Sequence, residues 1–227
     1  MIKDNFKHLI SRVYFPKKKH YDYYDLMFHS VVSGARRRYE LEPVKFENIL
    51  QSISSNINNI HVSFDDGLVC AYNNVRYIVK NLNIRPTIFL STEHIGQEGY
   101  LTIRQIEQLG SDGWTLGGHG HDHVALGRLS DEDCCYQLKR SISFLQNIVS
   151  PNCKIPMSLP FGSFNKNTVQ LVKKFGFDAC YNSKYGGWNA GDYFRNRIEI
   201  WGSDDEYSVH RKLQGRYGFL VKNEHVD

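Results

Sequence analysis

The chain has 227 residues, 41% of them hydrophobic and 23% charged, with a formal net charge of +4. That is an ordinary globular composition, most economically one α/β domain over 1–227. It contains no run near the roughly eighteen apolar residues of a membrane span. Cys70, Cys134, Cys135, Cys153 and Cys180 are scattered and lack Cys-x-x-Cys spacing, and the stretch Met1 to His8 lacks the apolar centre of a signal peptide, so the chain reads as cytoplasmic.

In chain order, Leu26 to Val32 is an apolar strand candidate, and Pro43 suits the first turn of a helix to about Ser55. Residues 61–66 form the next strand. Val75, Ile78, Val79 and Leu82 give helical spacing over Ala71 to Asn81, and Thr87 to Leu90 is a short strand. Thr102 with Gln105 is a capping box for a helix through Leu109, ended by Gly110 or Gly113, and Trp114 to Leu116 is a strand. Ser130 and three acids start a long helix carrying Cys134, Leu138, Ile142, Leu145 and Val149, and Pro151 closes it. Ile155 to Leu159 is a strand, Asn165 caps a helix to Phe175, and Phe177 to Tyr181 and Arg197 to Trp201 are the last two strands. Asp204, Asp205 and Glu206 open a terminal helix. Alternating strands and helices imply a parallel sheet with helices outside it, of about seven strands.

Two stretches carry chemistry. His-Val-Ser-Phe-Asp-Asp-Gly, His61 to Gly67, delivers Asp65 and Asp66 to the end of a strand, where Gly67 lets the chain turn away. Neighbours on a strand point to opposite faces, so the two acids share a role only if the strand breaks there. Otherwise one suits a metal and the other a proton. In Leu116 to Leu126, His119 and His123 are spaced to bind one cation, with His121 and Asp122 between them. The runs Lys17 to Lys19 and Arg36 to Arg38 read as solvated faces, since the acids nearly balance them.

Ser63-Phe-Asp-Asp-Gly67 resembles the first signature of the polysaccharide deacetylases (carbohydrate esterase family four, the NodB-homology domain). Gly118 to His123 is similar to the second motif, and Ser158-Leu-Pro-Phe-Gly162 to the third, in matching order over about 26–200. The resemblance implies a distorted, incomplete (β/α) barrel whose strand ends build the site. It also implies Asp66, His119 and His123 as ligands of a divalent metal, most plausibly Zn²⁺, with Asp65 as general base. The Phe161 backbone N–H would face the oxyanion, and Pro160, Gly162 and His121 would lie at the substrate. The reaction implied is removal of an N-acetyl or other acyl group from a sugar, a polysaccharide, or a lipid-linked or nucleotide-linked sugar. Surface-polysaccharide or lipopolysaccharide biosynthesis would be its setting.

The departures are specific. Ser158 stands where the family has an arginine that holds the base, Gly120 replaces a hydroxyl residue, and no histidine lies near Arg197 to Ile200 to act as general acid. Arg197 is the candidate to hold Asp65 through a bidentate pair. Two other readings stay open: a catalytically weak, metal-binding carbohydrate-recognition protein, and a basic nucleic-acid binder, although no nucleic acid is expected from the charge balance.

Overall fold

In the computed structural model, which describes residues 2–14, 20–54 and 59–219, seven short strands close into a parallel barrel. They are β1 (Tyr24–Phe28), β4 (Ile60–Phe64), β5 (Thr87–Leu90), β6 (Thr115–Gly118), β7 (Met157–Ser158), β8 (Cys180–Tyr185) and β9 (Phe194–Glu199). Each pairs with the next, and β9 returns to β1 through Leu26↔Ile198 and Met27↔Glu199. Two further strands, β2 (Ser30–Val31) and β3 (Glu40–Leu41), pair apart from the barrel. Apolar helix faces cover it outside. Phe46, Ile49, Leu50 and Ile53 of α2 (Pro43–Ile53) are fully buried, as are Leu138 and Leu145 of α5 (Asp131–Ile148). Among the described residues no helix is long and apolar enough to cross a membrane.

Local chemistry places the helix starts. Thr102 and Gln105 form the expected capping box before α4 (Ile103–Ser111), and Ser130 accepts from the Asp133 N–H at the start of α5. Asn165 and Asp205 cap α6 (Lys166–Lys174) and α7 (Glu206–Leu213) in the same way. The segment expected as one helix from Ala71 begins as a π-turn over Ala71–Val75 and continues as α3 (Arg76–Asn81). One helix, α1 (Ile2–Val13), was not expected, although Phe6, Leu9, Ile10 and Val13 keep helical spacing. Ser55 and Lys17 to Lys19 lie outside the described residues.

Several strand limits differ from the sequence reading for physical reasons. The apolar run from Leu26 splits into β1 and β2, with His29 between them. β6 runs through Gly117 and Gly118, because only glycine fits there. A Cβ on Gly117 would lie 2.6 Å from the Phe89 ring and 2.7 Å from the Pro156 carbonyl, and one on Gly118 would lie 2.6 Å from Ser141 Oγ. β8 starts at Cys180 and extends to Tyr185, beyond the strand end expected at Tyr181. Its return to β9 carries no helix and is pinned by two backbone hydrogen bonds of 3.0 Å between Trp188 and Tyr23. Arg197 therefore sits within β9 and not at its start.

Candidate active site

Strand β4 ends one residue before the two acids. The Asp65 N–H still donates to the Phe28 carbonyl at 3.0 Å, but Asp66 turns into the left-handed region at φ 74°, followed by Gly67 at φ 77°. That break lets both carboxylates serve one cleft: Asp65 is buried inside the barrel mouth, and Asp66 faces outward, half-buried. His119 follows β6, its N–H donating to the Leu90 carbonyl at 2.8 Å. Its Nδ1 lies 2.9 Å from the Ser158 carbonyl, which fixes the ring with Nε2 toward Asp66 Oδ1 at 3.4 Å. His123, at φ 55°, brings Nε2 to 3.1 Å from the same oxygen.

Asp66, His119 and His123 thus each offer one ligand atom within 4.8 Å of the others. One carboxylate oxygen and two imidazole nitrogens, with open space on the cleft side, is a donor set suited to Zn²⁺ or a related divalent ion. The electrostatics ask for a cation at the same spot. Burial pushes the Asp66 carboxyl up, yet the hydrogen bonds from His119 and His123 outweigh it and hold it well below the carboxylate range. Burial lowers His119, but Asp65 and Asp66 raise it above its ordinary value, so a proton is drawn to where a metal would lie.

Asp65 is held differently. The guanidinium of Arg197, fully buried, reaches it as a fork, Nη1 to Oδ1 at 2.7 Å and Nη2 to Oδ2 at 2.8 Å. Ser158 Oγ donates to Oδ2 at 3.1 Å and accepts from Arg197 Nη2 at 2.7 Å, so the serine joins this network as a third member. Burial raises the Asp65 carboxyl, but Arg197 and then His119 prevail and hold it down at about 2. On the far side, Arg197 Nη1 is 3.3 Å from Ser63 Oγ, which donates to Asp25 at 2.5 Å. Burial raises the Asp25 carboxyl, so it competes weakly for the guanidinium.

The third motif forms a tight turn. Phe161 is at φ 58°, its ring 69% exposed and 4.7 Å from the His123 ring. Pro160 and Gly162, expected at the substrate, lie behind it. Pro160 is buried, and a Cβ on Gly162 would meet Ser183 Oγ at 2.8 Å, so both shape the turn that presents Phe161. His121, also expected at the substrate, points away from the cleft. Its Nδ1 is 2.9 Å from Thr92 Oγ1 and its Nε2 faces Glu93 at 3.1 Å and Asp122 at 3.5 Å. Glu93, His121 and Asp122 also have metal-ligand spacing, but Arg140 Nε, 3.4 Å from His121 Nε2, already supplies a positive charge there. Gln137 of α5 ties the intervening loop down: its Oε1 accepts from the N–H groups of His121 and Asp122 at 3.0 and 2.9 Å, and its Nε2 donates to Asp122 at 2.8 Å.

The cleft has a volume of about 550 Å³. Besides Asp65, Asp66, His119, His123 and Phe161, it is lined by residues that sequence reasoning missed, among them Lys7, His29, Arg38, Tyr39, Ser183 and Glu199. The His29 ring stacks on Tyr39 with centroids 4.7 Å apart, and its buried Nδ1 makes no hydrogen bond among the described residues. The available signal for His29 was a polar residue just beyond an apolar strand, the same placement that marked Asp65.

A sequence model described as polysaccharide deacetylase matches residues 53–180, more than half of the chain. The chain is 24% identical over 141 residues to YxkH of Bacillus subtilis (strain 168), a protein named for the same activity, with 61% of this chain and 50% of that one covered. It is 25% identical over 182 residues to the poly-beta-1,6-N-acetyl-D-glucosamine N-deacetylase of Staphylococcus aureus (strain COL), with coverage of 73% and 61%. The match thus spans about half to three fifths of these relatives' length. Among solved structures, the Streptococcus pyogenes deacetylase PplD in complex with acetate has a TM-score of 0.75 at 20% identity. It covers 87% of this chain and 98% of that chain, which shows a shared fold.

Proposed function

Since this chain belongs to the polysaccharide deacetylase family, we propose that it is a metal-dependent hydrolase that removes an N-acetyl group from a sugar. The observation that carries this reading is the ionised Asp65, forked by Arg197, next to a carboxylate and two imidazoles of metal-ligand spacing at one cleft. A protein that only bound metal and sugar has no use for a second buried carboxylate kept free of the ligand set.

Asp66, His119 and His123 would hold the ion, with Zn²⁺ the best fit to the donors. When bound, such an ion polarises the amide carbonyl and acidifies water. Asp65 accepts the proton of the attacking water, and Arg197 and Ser158 keep it ionised and aimed. The Phe161 turn offers its backbone N–H to the developing oxyanion. The leaving amine needs a proton, and few groups in the cleft can give it. His119 and His123 are committed as ligands, and Glu199 accepts from Trp201 Nε1 at 2.6 Å beside Arg38. His29, which lines the cleft and is not a ligand candidate, is the group we assign to donate that proton. A cytoplasmic place, in synthesis of a surface polysaccharide or lipopolysaccharide, is part of the proposal and is supported by the five free cysteines.

The test is acetate release from an N-acetylglucosamine oligosaccharide by zinc-loaded protein. Asp66→Ala and His123→Ala should lose both metal and activity, whereas His29→Gln should keep the metal and lose activity by about a hundredfold or more. Metal and sugar binding with no acetate released by the unaltered protein would replace this reading with the binding-only one.

A further inference from the structure

One part of the cleft wall carries charge that removal of acetate from a neutral sugar leaves unused. It is built around Trp201, whose indole is 3% exposed and has three cations close to it. Lys212 Nζ lies 3.8 Å from the ring centroid, Lys7 Nζ 4.5 Å and the Arg38 guanidinium 5.2 Å. Lys212 is buried and ion-paired with Asp204 behind the wall. Lys7 and Arg38 instead line the same cavity as the metal centre.

Glu199 is the carboxylate of this wall, and it lies 3.5 Å from Arg38 and accepts the Trp201 N–H. Lys7 has no carboxylate within ion-pairing distance among the described residues, whereas Arg38 is paired with Glu199. The Arg36 to Arg38 run that read as a solvated face is the loop that brings Arg38 here. Glu40 organises that loop by accepting the backbone N–H groups of Arg36 and Arg37 at 3.0 and 2.9 Å, and Gly202 N–H bonds the Arg38 carbonyl. With Asp204 on Lys212 and Glu199 on Arg38, the Lys7 ammonium is the charge at this cavity mouth that an incoming anion can join.

Resting on the deacetylase reading, we infer that the substrate is an anionic saccharide. In this inference Lys7 and Arg38 bind an oxyanion carried on or beside the N-acetylated sugar, while Tyr39, 38% exposed, offers the ring face next to it. Phosphate and carboxylate share the required chemistry. A guanidinium recognises either as a fork, and an ammonium adds a point charge.

The experiment compares zinc-loaded protein on three acetylated probes: neutral di-N-acetylchitobiose, N-acetylglucosamine 1-phosphate, and a disaccharide of glucuronate and N-acetylglucosamine. At low salt, kcat/KM for at least one anionic probe should exceed that for the neutral one by about tenfold or more. The advantage should shrink as salt screens the pair, and the better anionic probe identifies phosphate or carboxylate as the source. Lys7→Gln and Arg38→Gln should each lower the anionic-to-neutral ratio by about fivefold, the upper range for a partly exposed ion pair. Equal kcat/KM on all three probes, or a ratio that neither substitution moves, overturns the inference and leaves the deacetylase reading standing. If no probe is turned over, the deacetylase reading fails first. Calorimetric binding of the same probes to zinc-loaded protein then decides the anion site: tighter binding of an anionic probe, lost in Lys7→Gln or Arg38→Gln, supports it, and equal binding overturns it.

Discussion

Replacing Asp65 by asparagine separates two duties that this residue performs at once. The amide is nearly isosteric, so the Asp66, His119 and His123 cluster is untouched and metal content should stay at the level of the unaltered protein. Turnover should fall by about a hundredfold or more, because an amide cannot accept the proton of water at neutral pH. Stability should fall too. Arg197 is fully buried, and its two short bonds to Asp65 are its charged contacts at van der Waals range; asparagine leaves the guanidinium with hydroxyls and the Asn182 carbonyl. Breaking one side of a buried pair costs about 3 to 5 kcal/mol, here toward the low end, because Asp25 stands close enough to take up part of the charge. For a chain of this size that is on the order of a 10 °C fall in Tm. The diagnostic companion is the double variant Asp65→Asn/Arg197→Met. If an orphaned charge causes the loss, removing the arginine restores stability while activity stays absent. Scanning calorimetry and acetate assays on the four proteins decide it. A double variant no more stable than Asp65→Asn, or an Asp65→Asn enzyme with normal turnover, refutes the reasoning.

Other outcomes follow from named contacts. Gln137→Ala strips the His121 and Asp122 N–H groups of their acceptor in the loop between the two candidate histidine ligands, so zinc affinity should weaken by about 10- to 100-fold in a chelator competition while the protein stays folded. Gly117→Ala drives a methyl into the Pro156 carbonyl and the Phe89 ring, and thermal unfolding should show a loss of about 1 to 3 kcal/mol. The acid limb of stability should also depend on Asp65. Its folded carboxyl is held at about 2 against 3.8 when free, so its contribution, about 2 kcal/mol, is complete above 3.8 and lost as pH falls toward 2. In chelator-treated protein, the stability gap between unaltered chain and Asp65→Asn should be flat above about pH 5 and narrow below pH 4.

What the sequence could and could not show follows from how each residue reaches the cleft. Asp66, His119 and His123 lie in two short local motifs; the spacing of the two histidines implied one cation and the family resemblance added Asp66, while the fold adds the turn at Asp66 that lets adjacent acids face one opening. Arg197 was reachable by counting strands, since barrel closure sets β9 against β1, which itself pairs with the β4 strand that leads into Asp65, but its fork on Asp65 depends on a register no motif encodes. The capped helices α4, α5, α6 and α7 were legible because a cap is written in three or four neighbouring residues. Lys7, His29, Arg38 and Tyr39 were not, because each is a single side chain on a separate segment and only barrel closure gathers them. The strand character of Gly117 and Gly118 was hidden for the opposite reason: what demands glycine there is a neighbouring ring and a carbonyl far along the chain.

The Arg197 and Asp65 pair also bears on how such a chain can decay. Substitutions at Asp66 or His123, at the half-exposed rim, spare the barrel, so a library screened for lost activity should recover them as abundant, soluble protein. Single substitutions at Asp65 or Arg197 strand a charge inside the barrel and should reach the screen depleted by cellular proteolysis. Lineages that abandon catalysis are therefore expected to lose the ligands first and keep the buried acid and its guanidinium long after, as an inherited brace whose original chemistry has gone.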